Sequence, residues 1–140
     1  MPEKTFRYCM SPRCFRYRED AIMSHAPQTP GIFEFVTFDA NNQAKILYVG
    51  LAVQGIAQEL SEHLRGMKLP SVKELLEKYP NLYFDYVDWT EAKDVEDLKD
   101  IAASLWEHHH PPHSPQPLLG SGRYQKVILQ EVDVPVFNLP

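Results

Sequence analysis

The architecture of this chain is set by residues 31–63, which read GIFEFVTFDANNQAKILYVGLAVQGIAQELSEH. The first apolar run, from Ile32 to Phe38, is dense in β-branched and aromatic residues, as a half-buried strand should be. A turn over residues 39–43 and a second apolar run up to Gly50 predict an antiparallel hairpin. Beyond the hairpin, apolar residues recur every four positions, which predicts a helix whose apolar stripe faces the sheet.

Further helix and strand signals follow this unit. Ser71 and Glu74 match a capping box, so a second helix is expected to begin at Ser71 and to end before Pro80. Residues 82–89 alternate apolar and polar side chains and predict a third strand.

A longer helix is expected after the third strand. Thr90 is a candidate cap for its start, and the histidine and proline tract of residues 108–117 ends it, because consecutive prolines remove backbone donors. Residues 123–134 alternate again and predict a last strand. The chain is therefore expected to be α+β, with a central, mostly antiparallel sheet of three or more strands flanked by three helices.

Residues 1–30 are interpreted as an N-terminal arm and linker ahead of a domain that covers residues 31–140. Aromatic and basic side chains alternate on both sides of Ser11-Pro12, which predicts a hairpin or two short extended pieces. The aromatic rings are expected to pack on the domain while the arginines point outward. The alternative is that the rings stack on unpaired bases and the arginines bind phosphates.

Charge is distributed unevenly along the chain. The formal net charge is −5, yet five basic residues against one acid give residues 1–18 a charge of +4, which leaves −9 for residues 19–140. A body this acidic does not coat nucleic acid through bulk electrostatics, so any phosphate contact is expected on the arm or in a local pocket. The alternative is a solvated basic edge that discourages aggregation.

Hydrophobic segments are short throughout the sequence. No apolar stretch approaches the roughly 18 residues that span a bilayer, and the N-terminus lacks the uninterrupted apolar segment of a signal peptide. We therefore expect a cytoplasmic protein with no membrane contact.

The motifs at residues 31–33 and 48–50, in this order and followed by a helix that ends in a histidine, resemble those of the GIY-YIG nuclease superfamily. The resemblance covers roughly residues 30–113. It implies a three-stranded antiparallel sheet that carries the two motifs on adjacent strands, with helices packed around it. It also implies metal-dependent hydrolysis of phosphodiester bonds, with Mg²⁺ or Mn²⁺ as the cofactor.

The resemblance assigns catalytic positions one by one. Tyr48 matches the tyrosine of the second motif, whereas Phe33 replaces the tyrosine of the first and lacks its hydroxyl. Gln58 falls at the position of the family's arginine, and a neutral amide cannot neutralise a phosphate. His63 matches a histidine common in the family, and Arg65 lies beyond it near the end of the helix.

The resemblance also implies a carboxylate that binds one divalent ion. Counting forward from Thr90 reaches Asp100, whereas counting back from the prolines at 111–112 reaches Ala102 or Ala103, which cannot ligate a metal. Asp100 is therefore the candidate ligand.

The function expected from these substitutions is that of a degenerate endonuclease-like domain, in which cleavage is weak or lost. Its partner would be DNA or RNA, and the candidate contacts are Arg7, Arg13, Arg16, Arg18 and Arg65. The alternative is a non-catalytic protein-interaction or structural module that keeps only the scaffold and binds a protein partner.

Cys9 and Cys14 flank the Ser-Pro turn and leave three alternatives open. They are free thiols, a disulfide, or half of a zinc site completed by two of His108, His110 and His113. Zinc is not expected, because the spacing matches no established finger. The histidine tract itself is interpreted as an adventitious metal binder, a pH-sensitive loop, or polar filler.

Overall fold

Residues 2–114 and 116–133 are described by a computed structural model, and within them the chain forms six strands and four helices. The elements are β1 (Glu3–Met10), β2 (Phe15–Arg16), α1 (Glu19–His25), β3 (Gly31–Phe38), β4 (Ala44–Ala52), α2 (Ile56–Leu64), α3 (Val72–Lys78), β5 (Tyr83–Thr90), α4 (Val95–His109) and β6 (Lys126–Glu131). The α+β class expected from the sequence is confirmed. Within the described residues, no helix is both long and apolar enough to cross a bilayer.

The strands form one mixed sheet in the order β4-β3-β5-β1-β6, with β2 also paired to β5. The pairings of β3 with β4 and β5, and of β5 with β1 and β2, are antiparallel, whereas β6 runs parallel to β1. Residues 3–10 therefore lie inside the sheet, between β5 and β6. Because β1 and β2 each pair with β5, the segments around Ser11 are two extended pieces, one of the two predicted forms.

The β3–β4 hairpin sets the position of both motifs. Phe33 lies opposite Gly50, and Phe35 lies opposite Tyr48. A Cβ atom at Gly50 would lie 2.3 Å from the ring of Phe33, so only glycine fits beside this buried ring.

Side chains alternate between the two faces of the sheet, and each face has its own core. Phe33 and Phe35 point to the face covered by α1, α2 and α3, whereas Ile32 points to the face covered by α4. The aromatic residues of the N-terminal segment are all buried in these cores, as the packing alternative requires: Phe6, Tyr8, Phe15 and Tyr17.

The structure corrects several element boundaries. Thr90 belongs to β5, and the side chain of Asp94 caps α4 by accepting a hydrogen bond from the backbone N–H of Asp97 at 2.8 Å. The predicted cap at Thr90 is therefore wrong. The predicted arm and linker of residues 1–30 contain a helix that was not predicted, α1, whose seven residues are too few for a clear periodic signal.

The last predicted strand is shorter than the sequence pattern indicates. Residues 123–134 were expected to be extended, and β6 covers residues 126–131 of them. Residue 134 lies outside the described residues, as do residues 115 and 135–140 of the predicted domain. Ser71 is the N-cap residue of α3, as predicted, but its side chain makes no capping hydrogen bond, so the predicted capping box with Glu74 is wrong.

Candidate functional site

Three of the predicted catalytic residues come together on the face of the sheet covered by α2. The ring of His63 meets the rings of Tyr48, Phe33 and Phe35 edge-on, with centroid separations of 5.3, 5.8 and 5.1 Å. Tyr48 comes from β4, both phenylalanines come from β3, and His63 comes from the last turn of α2. We call this group the Tyr48 cluster.

His63 has a defined protonation state in this cluster. It is 1% exposed, and its Nδ1 lies 3.0 Å from the carbonyl oxygen of Pro70. Because a carbonyl only accepts hydrogen bonds, Nδ1 must carry the proton and donate it, which leaves Nε2 with a lone pair. Nε2 is buried and has no hydrogen-bond partner among the described residues. Burial lowers the pKa of His63, so the ring is neutral at neutral pH.

Gln58 does not join the Tyr48 cluster. It is exposed and lines a surface pocket between α1 and α2 with Met23. The α2 side chain that faces the cluster is the next one, Glu59, which is buried and whose Oε2 lies 3.9 Å from Nε2 of His63. The sequence spacing indicates this contact, because residues four apart lie on the same helix face and Glu59 precedes His63 by four residues.

Lys68 also lies beside the Tyr48 cluster, and the sequence did not predict it. Its ammonium contacts the carboxylate of Glu59 and lies 3.4 Å from that of Glu62, and its side chain is 44% exposed. The hydrogen bond with Glu59 raises the pKa of Lys68. The loop after α2 thus supplies a cation beside Glu59.

The phenol of Tyr48 is a weaker acid here than an ordinary tyrosine. Burial raises its pKa first, and the negative charge of Glu59 raises it further, while Lys68 opposes both. The pKa remains above the ordinary value, so the hydroxyl keeps its proton at neutral pH. It can donate a hydrogen bond but cannot readily take a proton from water.

Asp100 lies on the other face of the sheet, on α4. It is 4% exposed, and both its oxygens accept hydrogen bonds from Ser121, one from the backbone N–H at 2.8 Å and one from the hydroxyl at 2.7 Å. A guanidinium nitrogen of Arg123 lies 3.8 Å away. Asp100 therefore holds the loop before β6 against α4, and these contacts do not fit a metal ion bound beside Tyr48. Within residues 2–114 and 116–133, no three Cys, His, Asp or Glu side chains are grouped to hold a metal ion.

Three of the predicted nucleic-acid contacts line one surface pocket of about 310 Å³, which we call the arginine pocket. Arg13, Arg16 and Arg18 are exposed there. The guanidinium of Arg13 lies over the ring of Phe15 at 5.1 Å, and that of Arg16 lies over the ring of Tyr83 at 5.2 Å. Stacking on a ring holds a guanidinium plane in place and leaves its N–H edge available to an anion.

The other two predicted arginines lie elsewhere. Arg7 is bound to Glu91, with a guanidinium nitrogen 2.6 Å from Oε2 and the backbone N–H donating to Oε1. Arg65 is exposed after α2, with a guanidinium nitrogen 4.0 Å from Oε1 of Glu19. Neither lines the arginine pocket.

A pair of acids behind the arginine pocket was not predicted. Glu34 on β3 and Asp85 on β5 are directly opposite in the sheet register. Glu34 is 3% exposed and Oδ1 of Asp85 is buried. Burial raises the pKa of Glu34 to about 7 and raises the pKa of Asp85 well above its ordinary value. We call these two residues the carboxyl pair.

Two further groups contact the carboxyl pair. Nε2 of His109, at the end of α4, lies 3.3 Å from Oε2 of Glu34, and the Cys14 thiol lies 3.8 Å from Oδ2 of Asp85. A sequence signal did exist, because Glu34 stands between two phenylalanines in an apolar strand, where an acid is costly unless it has a partner.

The cysteines and the histidine tract take separate places. Cys9 and Cys14 are both free thiols, and Cys9 lies 3.4 Å from the carbonyl oxygen of Asp133. His113 lies 2.9 Å from the hydroxyl of Tyr79 through its Nε2. These contacts belong to different parts of the fold.

No protein-family model, curated protein or solved structure matches this chain.

Proposed function

We propose that this chain is a degenerate GIY-YIG-like domain that binds nucleic acid and cleaves it weakly or not at all. The hairpin supports the GIY-YIG likeness, since Phe33 of the first motif pairs with Gly50 of the second. The helix that follows supports it too, because it brings His63 against Tyr48.

The charges around Tyr48 argue against efficient cleavage. Phosphodiester hydrolysis needs a cation for the charge that develops on the phosphate, and α2 supplies Glu59 at this point. Lys68 offsets that carboxylate but is committed to it. A phenol that keeps its proton is a poor activator of water.

The arginine pocket is the observation that carries the binding proposal. It concentrates three exposed guanidinium groups in a chain whose net charge is −5, and two of them are stacked on rings. Exposed guanidinium groups held close together bind the phosphates of a nucleic-acid backbone, and the rings of Phe15 and Tyr83 hold two of the three in position.

Fluorescence anisotropy with labelled single-stranded, duplex and branched DNA and RNA tests the binding proposal. The variant is Arg13→Gln/Arg16→Gln/Arg18→Gln, and the charge-matched control replaces three exposed lysines elsewhere: Lys45, Lys73 and Lys78. We expect the arginine variant to lose most of the affinity and the salt slope to fall by up to about three. Equal losses in both variants would contradict a specific pocket.

Cleavage is tested with the same substrates in Mg²⁺ or Mn²⁺, using Tyr48→Phe as the control. We expect no cleavage that depends on the Tyr48 hydroxyl. Metal-dependent cleavage that disappears in Tyr48→Phe would show that the Tyr48 cluster is an active site despite Glu59, and the degenerate assignment would fail.

A second candidate function, a protein-interaction module, is favoured by one exposed apolar surface. Leu64, Val72 and Leu76 line a shallow pocket of about 490 Å³ between α2 and α3, and Leu76 is 40% exposed. Exposed apolar surface of this kind suits a protein partner. If no nucleic acid binds and Leu76→Lys abolishes capture of a purified partner, this second candidate replaces the first.

A further inference from the structure

Cys14 connects the arginine pocket to the carboxyl pair. It lines the pocket, and its thiol lies 3.8 Å from Oδ2 of Asp85. Asp85 stands opposite Glu34, and Glu34 contacts His109 on α4 at 3.3 Å. The side chain of Cys14 therefore lies between the carboxyl pair and a surface that carries three arginines.

The carboxyl pair cannot be fully ionised at neutral pH. Two acids held together in a buried place repel each other when both are charged, and burial itself disfavours the charged form. Burial raises the pKa of both acids, and the charge of Glu34 raises that of Asp85 further, so at least one of the two acids stays protonated. The pKa of Glu34 is about 7, so the pair gains or loses its second proton near neutral pH.

The groups packed around the pair do not take over this titration. Burial raises the pKa of the Tyr8 phenol on β1 and of the Cys14 thiol, the latter to about 12, so both stay neutral. Burial lowers the pKa of His109 on α4, which keeps that ring neutral. Glu131 on β6 adds negative charge that raises the pKa of Glu34 further.

The pocket itself carries two other groups that bear on pH dependence. Asp20 and His25 of α1 line it together with the arginines. The carboxylate of Asp20 lies 3.7 Å from Nε of Arg18, and His25 stacks on Phe15 with ring centroids 4.3 Å apart. Because His25 lines the same pocket as the arginines, its contribution must be separated experimentally from that of Glu34.

We propose that the arginine pocket holds a backbone phosphate of a nucleic-acid strand, and that the Glu34–Asp85 pair weakens this contact when it loses its second proton. The ligand class rests on the proposed function, whereas the proton-sharing pair rests on the geometry of β3 and β5 alone. A negative charge appearing in a poorly solvated place near a bound phosphate is expected to reduce affinity roughly three- to tenfold. Affinity therefore falls as pH rises through about 7.

The first measurement is a carbon NMR titration of the side-chain carboxyls in protein labelled at Glu and Asp. We expect the Glu34 signal to move with a midpoint far above that of the exposed acids, and to be assigned by its loss in Glu34→Gln. If both Glu34 and Asp85 titrate together with the exposed acids, the proposal is overturned whatever the protein binds.

The second measurement is anisotropy with a labelled oligothymidine that has no terminal phosphate, from about pH 5.5 to about pH 8.5 at fixed ionic strength. Its diester phosphates and thymines do not titrate in this range, so any pH dependence belongs to the protein. We expect the wild type to lose affinity as pH rises, Glu34→Gln to hold its affinity, and His25→Asn to retain the loss.

The possible outcomes distinguish a failure of the pH coupling from a failure of the proposed function. Binding with the same pH dependence in wild type and Glu34→Gln removes the coupling and leaves the proposed function intact. A pH dependence that vanishes in His25→Asn and persists in Glu34→Gln assigns the effect to His25 and also removes the coupling. Absence of binding at every pH removes the proposed function, and the coupling with it.

Discussion

Glu34 and Asp85 stand directly opposite each other on β3 and β5, so two acids share one buried place on the face of the sheet that packs against α4. Neither Oε2 of Glu34 nor Oδ1 of Asp85 has a hydrogen-bond partner among the described residues. A native fold keeps such a pair only if at least one of the acids is protonated.

The carboxyl pair predicts how stability changes with pH. The pKa of Glu34 is raised from about 4.5 to about 7 on folding, so the folded state binds its proton more tightly and stability falls as pH rises between these values. Glu34→Gln cannot ionise. We expect it to match the wild type near pH 4.5 and to exceed it by up to about 3 kcal/mol at about pH 8.

Urea unfolding of both proteins across this pH range measures the difference, and the titrating groups outside the carboxyl pair are common to the two proteins. A gap that stays constant with pH would mean that Glu34 ionises normally in the folded chain.

His63 predicts a pH effect of the opposite sign. Its folded pKa is lowered by burial, so the wild type loses stability as pH falls below about 6.5. His63→Leu removes the hydrogen bond to the Pro70 carbonyl and should cost about 1 to 3 kcal/mol above pH 7. The cost should shrink toward pH 5, because the wild type is itself weakened there.

Thermal unfolding at several pH values gives this comparison, with the exposed His108→Leu as the control. If the cost of His63→Leu grew in acid, His63 would be charged and paired in the folded state.

Gly50 and Phe33 are predicted to be energetically coupled. A methyl group at Gly50 would lie 2.3 Å from the Phe33 ring, so Gly50→Ala should destabilise the fold by about 1 to 3 kcal/mol or more. Phe33→Leu frees space at the same point. A double-mutant cycle should therefore show that the cost of Gly50→Ala is smaller in the Phe33→Leu background.

Additive effects in that cycle would mean that the hairpin relaxes elsewhere to accept the methyl group, and the close fit of the two motifs would lose its importance.

Asp100 is predicted to stabilise the fold and to play no part in cleavage or binding. Asp100→Ala removes two hydrogen bonds from Ser121 and should cost about 1 to 3 kcal/mol. Asp100→Asn keeps an acceptor and should cost less. Nucleic-acid affinity, measured at a temperature where both variants are folded, should not change.

If Asp100→Ala and Asp100→Asn both kept full stability but lost a metal-dependent activity, Asp100 would be a metal ligand.

Local periodicity made the hairpin and α2 predictable, since the relevant contacts lie between neighbours in sequence. The candidate site was harder, because one residue along a helix turns a side chain by about 100°. That single step separates the exposed Gln58 from the buried Glu59, and only the i,i+4 relation to His63 distinguishes them.

Contacts between distant segments were not visible in the sequence. The pairing of Glu34 with Asp85 depends on the register of two strands that are not consecutive in the chain. Lys68 reaches Glu59 from an irregular loop, whose path no periodic pattern specifies. The alternation of aromatic and basic residues before Ser11 predicts an extended segment, but nothing local indicates that this strand lies between β5 and β6.

The position of β1 also has a consequence for how the chain folds during synthesis. β1 is translated before both of its neighbours in the sheet, because β5 and β6 come much later in the sequence. Until then its backbone donors and acceptors are unpaired, and Phe6 and Tyr8 lack the α4 residues that cover them. From the synthesis of β1 until that of β5, the nascent chain therefore exposes an unpaired β-segment. The sheet closes only through contacts between distant parts of the sequence, which slows folding.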